Sequence, residues 1–198
     1  MKGTTMTDTD LDHRRILVLV TNYGVEQDEL VVPVERLRAQ GATVVVAASS
    51  TDPVQTLVGD KDPGRTVQPD TTYADAGSEF DLVLIPGGTL NADALRQEAR
   101  AVDIVRAAAA AGRPVAAICH GPWVLIEADA VRGKTVTSYP SLRSDLQNAD
   151  AVWVDQAVAV DDGGGFTLVT SRTPDDLDDF VPAVAAAAKA FADAQPVG

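Results

Sequence analysis

The sequence predicts an α/β fold, a three-layer sandwich built around a mostly parallel central sheet. Continuous apolar runs, typical of strands buried on both faces, alternate with segments whose apolar residues recur at helical spacing. The connections are short, so successive strands should be parallel and joined by right-handed crossovers. The chain has 198 residues, 45% of them hydrophobic, which is enough to bury one sizeable core. We expect a disordered tail at residues 1–14 and a single domain at residues 15–195.

The N-terminal half begins this alternation. The run RILVLV at residues 15–20 predicts the first strand. The segment EQDELVVPVERLRAQG at residues 26–41 predicts a helix that ends at its glycine, and Pro33 leaves open a kink or a later start. A second strand follows at TVVVAAS, residues 43–49. Residues 50–78, rich in Asp, Pro, Gly and Thr, predict a surface excursion that carries a small hairpin.

The C-terminal half repeats the pattern. The strand DLVLI at residues 81–85 runs into a Gly pair, and the helix GPWVLIEADAV at residues 121–131 carries a proline in its first turn. Residues 151–171 predict two strands joined by the glycine-rich turn GGG. The remaining strands are expected at 113–119 and 134–139, and the remaining helices at 101–112, 141–150 and 174–194.

Composition and charge exclude several classes of function. The net charge of −13 opposes binding to nucleic acids and to anionic lipids, which proteins bind chiefly through Lys and Arg. No apolar run approaches the roughly 18 residues that a membrane span needs, and the N-terminal segment lacks the apolar core of a signal peptide. A single cysteine forms no internal disulfide and offers no zinc-binding set. We expect a cytoplasmic protein that binds neither nucleic acid nor membrane.

The single cysteine lies where a predicted strand meets a predicted helix, within AAICHGPW at residues 116–123. In open α/β sheets, sites form at the carboxyl ends of the strands, and a sharp strand-to-helix turn presents a nucleophile. The start of the helix points unpaired N–H groups and a partial positive charge at the Cys119 sulfur, which favours the thiolate. The pattern therefore predicts a reactive Cys119.

A plainer interpretation is open for both residues of this Cys-His pair. A lone cysteine is often a small buried hydrophobic residue, in which case Cys119 is inert. His120 can be a structural hydrogen-bonding residue, because the side chains of adjacent residues diverge and adjacency alone does not bring its ring to the sulfur. The residues alone leave open whether His120 is catalytic or structural.

A glycine pair follows another predicted strand, within IPGGTLNAD at residues 85–93. Gly87 and Gly88 allow backbone N–H groups to approach a substrate closely, as an oxyanion hole requires. An ordinary turn is the alternative. Because the carboxyl ends of parallel strands meet at one edge of the sheet, this pair and Cys119 are expected to lie at one site.

Acidic residues follow the first strand, in NYGVEQDEL. Glu26 falls at the carboxyl edge of the sheet, where its side chain can reach Cys119. Asp28 and Glu29 are expected to play the commoner role of favourable charges in the first turn of a helix.

Together these elements resemble the PfpI-type intracellular protease family of the ThiJ/PfpI superfamily. AAICHGPW is similar to the nucleophile signature of that family and LIPGG to its oxyanion turn, and TSYPSLRSDLQNADAVWVD and VTSRTPDDL are typical of its bacterial stress-protein branch. The resemblance implies a flavodoxin-like sandwich, with Cys119 as nucleophile, Glu26 as the carboxylic acid hydrogen-bonded to it, and His120 as general acid and base. It also implies that the N–H groups of Gly88 and His120 hold the oxyanion.

The resemblance further implies a homodimer, or a homohexamer built from dimers. In such assemblies an acidic residue after the glycine turn of one subunit orients the histidine of the next. Asp93 lies at that position here, one methylene shorter than the glutamate of archaeal members. The related class I glutamine amidotransferases need a histidine far downstream of the cysteine, whereas this chain has only His13 and His120. An amidotransferase triad is therefore excluded.

These features predict a cysteine-dependent enzyme of stress protection. We expect the Cys119 thiolate to attack methylglyoxal, a small aldehyde, or an early glycation adduct on protein, the glyoxalase III or deglycase activity that the resemblance implies. No cofactor or metal is expected. Two alternatives stay open: an intracellular cysteine peptidase, and a non-catalytic redox sensor or chaperone that uses an oxidisable Cys119.

Overall fold

A seven-stranded sheet forms the centre of the structure, a computed structural model that describes residues 11–194. The strands are β1 (Arg15–Leu19), β2 (Tyr23–Glu26), β3 (Thr43–Ala48), β4 (Val54–Val58), β5 (Asp62–Val67), β6 (Thr71–Thr72), β7 (Leu82–Ile85), β8 (Val115–Ile118), β9 (Thr135–Val136), β10 (Val152–Trp153), β11 (Val158–Asp161) and β12 (Leu168–Ser171). The helices are α1 (Gln27–Ala39), α2 (Thr89–Leu95), α3 (Ala99–Ala110), α4 (Pro122–Glu127), α5 (Arg143–Asn148) and α6 (Leu177–Asp193), with 3₁₀ turns at Pro140–Leu142 and Pro174–Asp176.

The strand order in the main sheet is β11-β12-β8-β7-β1-β3-β6. Neighbouring strands are parallel except β11 and β12, which form an antiparallel hairpin at one edge. Helices α1 and α6 pack on one face of the sheet, and α3, α4 and α5 pack on the other. The predicted α/β fold, a three-layer sandwich with a mostly parallel central sheet, is confirmed.

Apolar side chains on the two faces of the sheet form two cores. Along β1, Ile16 and Val18 face the core beneath α1 and α6, whereas Leu17 and Leu19 face the opposite core. This alternation is the period of two that a strand imposes on its side chains. Because helices cover both faces, all four positions are buried and the strand appears in the sequence as a continuous apolar run.

Residues 50–78 contain the predicted hairpin, but they are more than a surface excursion. Strands β4 and β5 pair antiparallel, and β4 also pairs in parallel with β2, which makes a three-stranded sheet beside the main one. Val54 and Thr56 are fully buried in it. The connection between β4 and β5 carries Gly59 and Asp60 to a cavity that Cys119 also lines.

The structure differs from the predicted strand at residues 134–139. Only Thr135–Val136 is extended, and it pairs with β10 in a separate two-stranded sheet. The chain then turns across the end of β8, where the Tyr139 N–H donates to the Cys119 carbonyl at 2.9 Å. This turn prevents the segment from joining the main sheet. The predicted helix at residues 121–131 is also shorter, since α4 ends at Glu127.

The predicted disordered tail at residues 1–14 extends too far. Residues 1–10 lie outside the described residues, but Leu11 is fully buried and its N–H donates to the Gln40 carbonyl at 3.0 Å. Arg14 forms an ion pair with Asp193 on α6 at 2.6 Å. Residues 11–14 therefore pack against the fold. No helix among the described residues 11–194 has both the length and the apolar character that crossing a membrane requires.

Candidate active site

Cys119 lies on a sharp turn between β8 and α4. Its φ is +61°, a left-handed conformation that costs about 1–2 kcal/mol for a residue with a Cβ. Two backbone hydrogen bonds hold the turn: the Cys119 N–H donates to the Ser171 carbonyl at 3.0 Å, and its carbonyl accepts from Tyr139. Gly121 leaves room for the turn, because a Cβ there would lie 2.6 Å from the Ile85 carbonyl oxygen. The predicted elbow is present, with its side chain at the carboxyl end of the sheet.

The carboxyl group that meets the thiol belongs to Glu29, on the first turn of α1. Glu29 is completely buried, its Oε2 accepts the Gly87 N–H at 2.8 Å, and its carboxyl makes a side-chain hydrogen bond with Cys119. Its Oε1 has no nitrogen or oxygen partner within residues 11–194. Burial raises the pKa of Glu29 to about 8, so the acid is mostly protonated at neutral pH. Because Oε2 accepts the Gly87 N–H, we infer that the neutral acid carries its proton on Oε1.

Glu26, the predicted partner of the thiol, makes a different hydrogen bond. Its Oε2 accepts the Asp60 N–H at 3.2 Å, and burial raises its pKa. It lines the same cavity, but within residues 11–194 no hydrogen bond joins it to Cys119. The physical reason is helix geometry: Glu26 is the N-cap of α1, whereas side chains inside a helix point back toward its N-terminus. Glu29, three residues later, is therefore directed into the site.

The sequence did contain a signal for Glu29. It lies on the same helical stripe as Pro33 and Leu37, which are also buried. An acidic residue on the buried stripe of a helix has to be neutral or hydrogen-bonded, unlike an exposed acid that only complements the helix dipole.

Burial and backbone N–H groups act in opposite directions on the thiol. Burial is the largest effect and raises the pKa of Cys119, and a negative charge on Glu29 raises it further. The N–H groups of Gly88 and His120 donate to the sulfur and lower its pKa. Since two adjacent buried negative charges repel, the thiolate forms most readily while Glu29 is protonated.

The glycine pair packs closely against the residues around the thiol. A Cβ on Gly87 would lie 2.7 Å from the Cys119 Cβ, and a Cβ on Gly88 would lie 2.3 Å from the Gly24 carbonyl oxygen. The Gly88 and His120 N–H groups both point at the sulfur, as a pair of oxyanion donors would. The Gly87 N–H instead donates to Glu29, so the prediction that Gly87 also supplies an oxyanion donor is wrong.

The His120 ring does reach the sulfur. Its Nδ1 lies 3.2 Å from the Cys119 Sγ, and its Nε2 lies 3.4 Å from the Thr89 Oγ1. The ring stacks on Tyr139 with a centroid separation of 4.7 Å, and burial lowers the pKa of His120. Side chains of adjacent residues diverge in an extended strand, but the left-handed backbone at Cys119 turns these two together.

The predicted residue Asp93 lies apart from this group within one chain. It is exposed on α2 and does not line the cavity. Its role toward the histidine of a neighbouring subunit stays a prediction.

The cavity next to the thiol has a volume of about 390 Å³. Its lining includes two residues that the sequence analysis did not select, Asp60 and Thr89. No Lys or Arg is among the lining residues of the described chain, which are Glu26, Glu29, Gly59, Asp60, Thr89, Cys119, His120, Tyr139 and Pro174. Within residues 11–194, no group of three or more His, Cys, Asp and Glu side chains is arranged to hold a metal ion.

Comparisons with known proteins agree with this geometry. The model of the DJ-1/PfpI family matches residues 14–187. A deglycase of Pyrococcus horikoshii is 38% identical over 164 residues, which cover 82% of this chain and 92% of the relative. YraA of Bacillus subtilis, named as a candidate cysteine protease, is 40% identical over 168 residues, covering 84% of this chain and 94% of YraA. Further relatives at 35–37% identity, from archaea and Escherichia coli, are also named deglycases.

A solved structure shows the same fold. DJ-1beta of Drosophila melanogaster superposes with a TM-score of 0.78 at 31% sequence identity, covering 89% of this chain and 91% of that protein. The predicted resemblance is confirmed by the family model, by the relatives and by this structure. The chain belongs to the DJ-1/PfpI family.

Proposed function

We propose that this protein is a cysteine-dependent enzyme that converts methylglyoxal or removes early glycation adducts from proteins. The observation that carries the proposal is the Cys119 elbow. There the Cys119 Sγ lies 3.2 Å from the His120 Nδ1, beside the buried, mostly protonated Glu29 and two backbone N–H donors. The sulfur also lines a cavity of about 390 Å³. The deglycase names of several relatives support it.

The first step is attack of the Cys119 thiolate on the aldehyde carbon. The carbon–sulfur bond forms, the carbonyl π electrons move to oxygen, and the N–H groups of Gly88 and His120 stabilise the oxyanion. The proton lost by the thiol passes to the His120 Nδ1, and His120 then supplies a proton to the oxygen. The product of this step is a hemithioacetal on Cys119.

The later steps with methylglyoxal are redox neutral. A proton moves from the former aldehyde carbon to the neighbouring ketone carbon, by way of an enediol, so that one carbon is oxidised while the other is reduced. The resulting thioester on Cys119 is hydrolysed by water to lactate and free thiol. His120 is the group placed to move these protons, and the overall addition of one water requires no external oxidant or reductant.

The test follows methylglyoxal loss together with lactate formation. Wild type should produce one lactate per methylglyoxal consumed, and Cys119→Ser should abolish turnover because the pKa of a serine hydroxyl is too high for ionisation at this turn. Circular dichroism and a melting curve would verify that Cys119→Ser folds. Activity of Cys119→Ser within about twofold of wild type would remove Cys119 from the mechanism.

The peptidase alternative has an observation in its favour. Acyl transfer uses the same groups, a thiol in contact with a histidine and two N–H donors beside it. In addition, the relative YraA is named as a candidate cysteine protease. Cleavage of casein and of short peptides by the same two preparations separates the activities. Peptide turnover that requires Cys119, without lactate formation, would favour the peptidase.

A further inference from the structure

We propose that Asp60, acting through the Thr89 hydroxyl, is a positioning residue for His120 within a single chain. The inference rests on the proposed function, in which His120 transfers protons to and from Cys119. It adds to that function a relay of four side chains, Asp60, Thr89, His120 and Cys119, that needs no second subunit.

The relay is continuous in the structure. The Thr89 Oγ1 donates to the Asp60 Oδ2 at 2.6 Å, and the Thr89 N–H donates to the Asp60 Oδ1 at 2.9 Å. The same Thr89 Oγ1 lies 3.4 Å from the His120 Nε2, and the His120 Nδ1 lies 3.2 Å from the Cys119 Sγ. Asp60 thus touches the histidine only through the threonine.

The directions of these hydrogen bonds fix the histidine tautomer. A threonine hydroxyl has one hydrogen, and in Thr89 that hydrogen points at the Asp60 carboxylate. Its oxygen can only accept from the His120 Nε2, so Nε2 carries the proton. The His120 Nδ1 then presents its lone pair to Cys119, as a base for the thiol proton requires.

The same arrangement stabilises the charged state of the histidine. Once Nδ1 has taken the thiol proton, the imidazolium is balanced by the Asp60 carboxylate across one hydroxyl, without any proton reaching Asp60. The titratable groups facing His120 are Cys119, Glu26, Glu29, Asp60 and Tyr139. Burial lowers the pKa of His120, and the negative charge of Asp60 opposes that effect.

Asp60 is held in place by its own backbone. It lies between β4 and β5 with φ +57°, and its N–H donates to the Glu26 Oε2 at 3.2 Å. Asparagine also adopts this left-handed conformation readily, so Asp60→Asn removes the charge with little change to the turn. Asp62, an exposed acid on the same hairpin, provides a matched control in Asp62→Asn.

The relay and the intersubunit prediction compete for one atom. The His120 Nε2 already faces the Thr89 hydroxyl within the chain, whereas the resemblance implies that an acid of the neighbouring subunit, here Asp93, orients the histidine. Only one of the two carboxylates can determine the tautomer. Substitution of each acid therefore distinguishes the two arrangements.

The test measures the tautomer and the pKa of His120 by NMR of protein labelled with ¹³C and ¹⁵N in histidine. The chain has two histidines, so in a His13→Gln background all histidine signals come from His120. We expect the Nε2-protonated tautomer in this background. Asp60→Asn and Thr89→Val should each give a mixture of tautomers and a lower His120 pKa, while Thr89→Ser, which keeps the hydroxyl, and Asp62→Asn should retain the starting state.

Enzyme kinetics give the second measurement. General acid–base catalysis contributes roughly 10²–10⁴-fold, and we expect Asp60→Asn and Thr89→Val to lose on the order of tenfold in kcat/KM with methylglyoxal, with Thr89→Ser restoring most of it. An unchanged tautomer and pKa in both Asp60→Asn and Thr89→Val would overturn the relay. A change in Asp93→Asn but not in Asp60→Asn would overturn it in favour of the neighbouring subunit. If wild type turns over no methylglyoxal, the proposed function fails, whereas the tautomer measurement still decides the relay.

Discussion

Replacement of Glu29 tests whether a neutral acid activates the thiol. Glu29→Gln places a permanently neutral amide in the same space, with its oxygen able to accept from Gly87 and its NH₂ able to donate to Cys119. Glu29→Leu removes the donor and leaves the buried Gly87 N–H without its acceptor. Glu26→Gln is the control, because Glu26 lines the same cavity but bonds to Asp60.

The magnitude follows from the type of hydrogen bond. A hydrogen bond to a charged group contributes about 1.5–3 kcal/mol, and 1.36 kcal/mol corresponds to one pKa unit. Below pH 8, where Glu29 is mostly protonated, Glu29→Leu should therefore raise the Cys119 pKa by about one to two units. Alkylation at pH 7 should slow by roughly 10- to 100-fold. Glu29→Gln should keep most of the wild-type rate, because the amide still donates.

The assay is the rate of iodoacetamide alkylation of Cys119 between pH 5 and about pH 10, followed by mass spectrometry. The chain has one cysteine, so every thiol adduct reports Cys119. The Glu26→Gln curve should keep the wild-type midpoint. Coincident curves for wild type and Glu29→Leu would refute the reasoning, and so would a shift in Glu26→Gln alone.

Three further predictions concern stability and assembly. Glu29 has a pKa of about 8 in the folded state against 4.5 as its ordinary value, so its contribution is complete below pH 4.5 and is lost as the pH rises through 8. Urea unfolding should show a less stable protein at pH 9 than at pH 5, and Glu29→Gln should flatten this dependence. Gly88→Ala should lower stability by more than the roughly 1–3 kcal/mol of backbone strain, because φ is +82° and the Gly24 carbonyl blocks the new Cβ, whereas Gly77→Ala, at φ +72° in open space, should cost less. Light scattering should give a dimer or larger, and a mass of 20.7 kDa at micromolar concentration would contradict this.

The fold could be predicted because its signals are local. A strand covered on both faces has to be apolar at every position, so RILVLV and PVAAI identified β1 and β8 without any knowledge of their neighbours. The Cys119 turn could be predicted for the same reason, since the end of an apolar run meets a Gly-Pro pair. The strand predicted at residues 134–139 was only partly right, because the short length of β9 and its pairing with β10 depend on where the chain turns over Cys119.

The partners of the thiol and the histidine depend on distant contacts. Asp60 reaches the site only because β4 pairs with β2 and thereby fixes where the hairpin connection lies. Thr89 is the first residue of α2, a helix whose apolar pattern is too weak to identify from the sequence. The role of Glu29 could have been predicted from its position on the buried stripe of α1. An acid in the first turn of a helix is more commonly a surface charge, however.

Two carboxyl groups of one cavity take opposite roles, and their hydrogen-bond donors explain why. Glu29 is fully buried and receives one N–H, from Gly87, and burial raises its pKa to about 8, so below that pH the neutral acid holds a proton that it can donate to a thiolate. Asp60 is partly exposed and accepts a hydrogen bond from Thr89 on each oxygen, one from the N–H and one from the hydroxyl, so it acts on the histidine as an acceptor through that hydroxyl. A donor at the sulfur favours the thiolate, and an acceptor behind the histidine favours the imidazolium that results when the thiol ionises. The two acids therefore stabilise the same ion pair from its two ends.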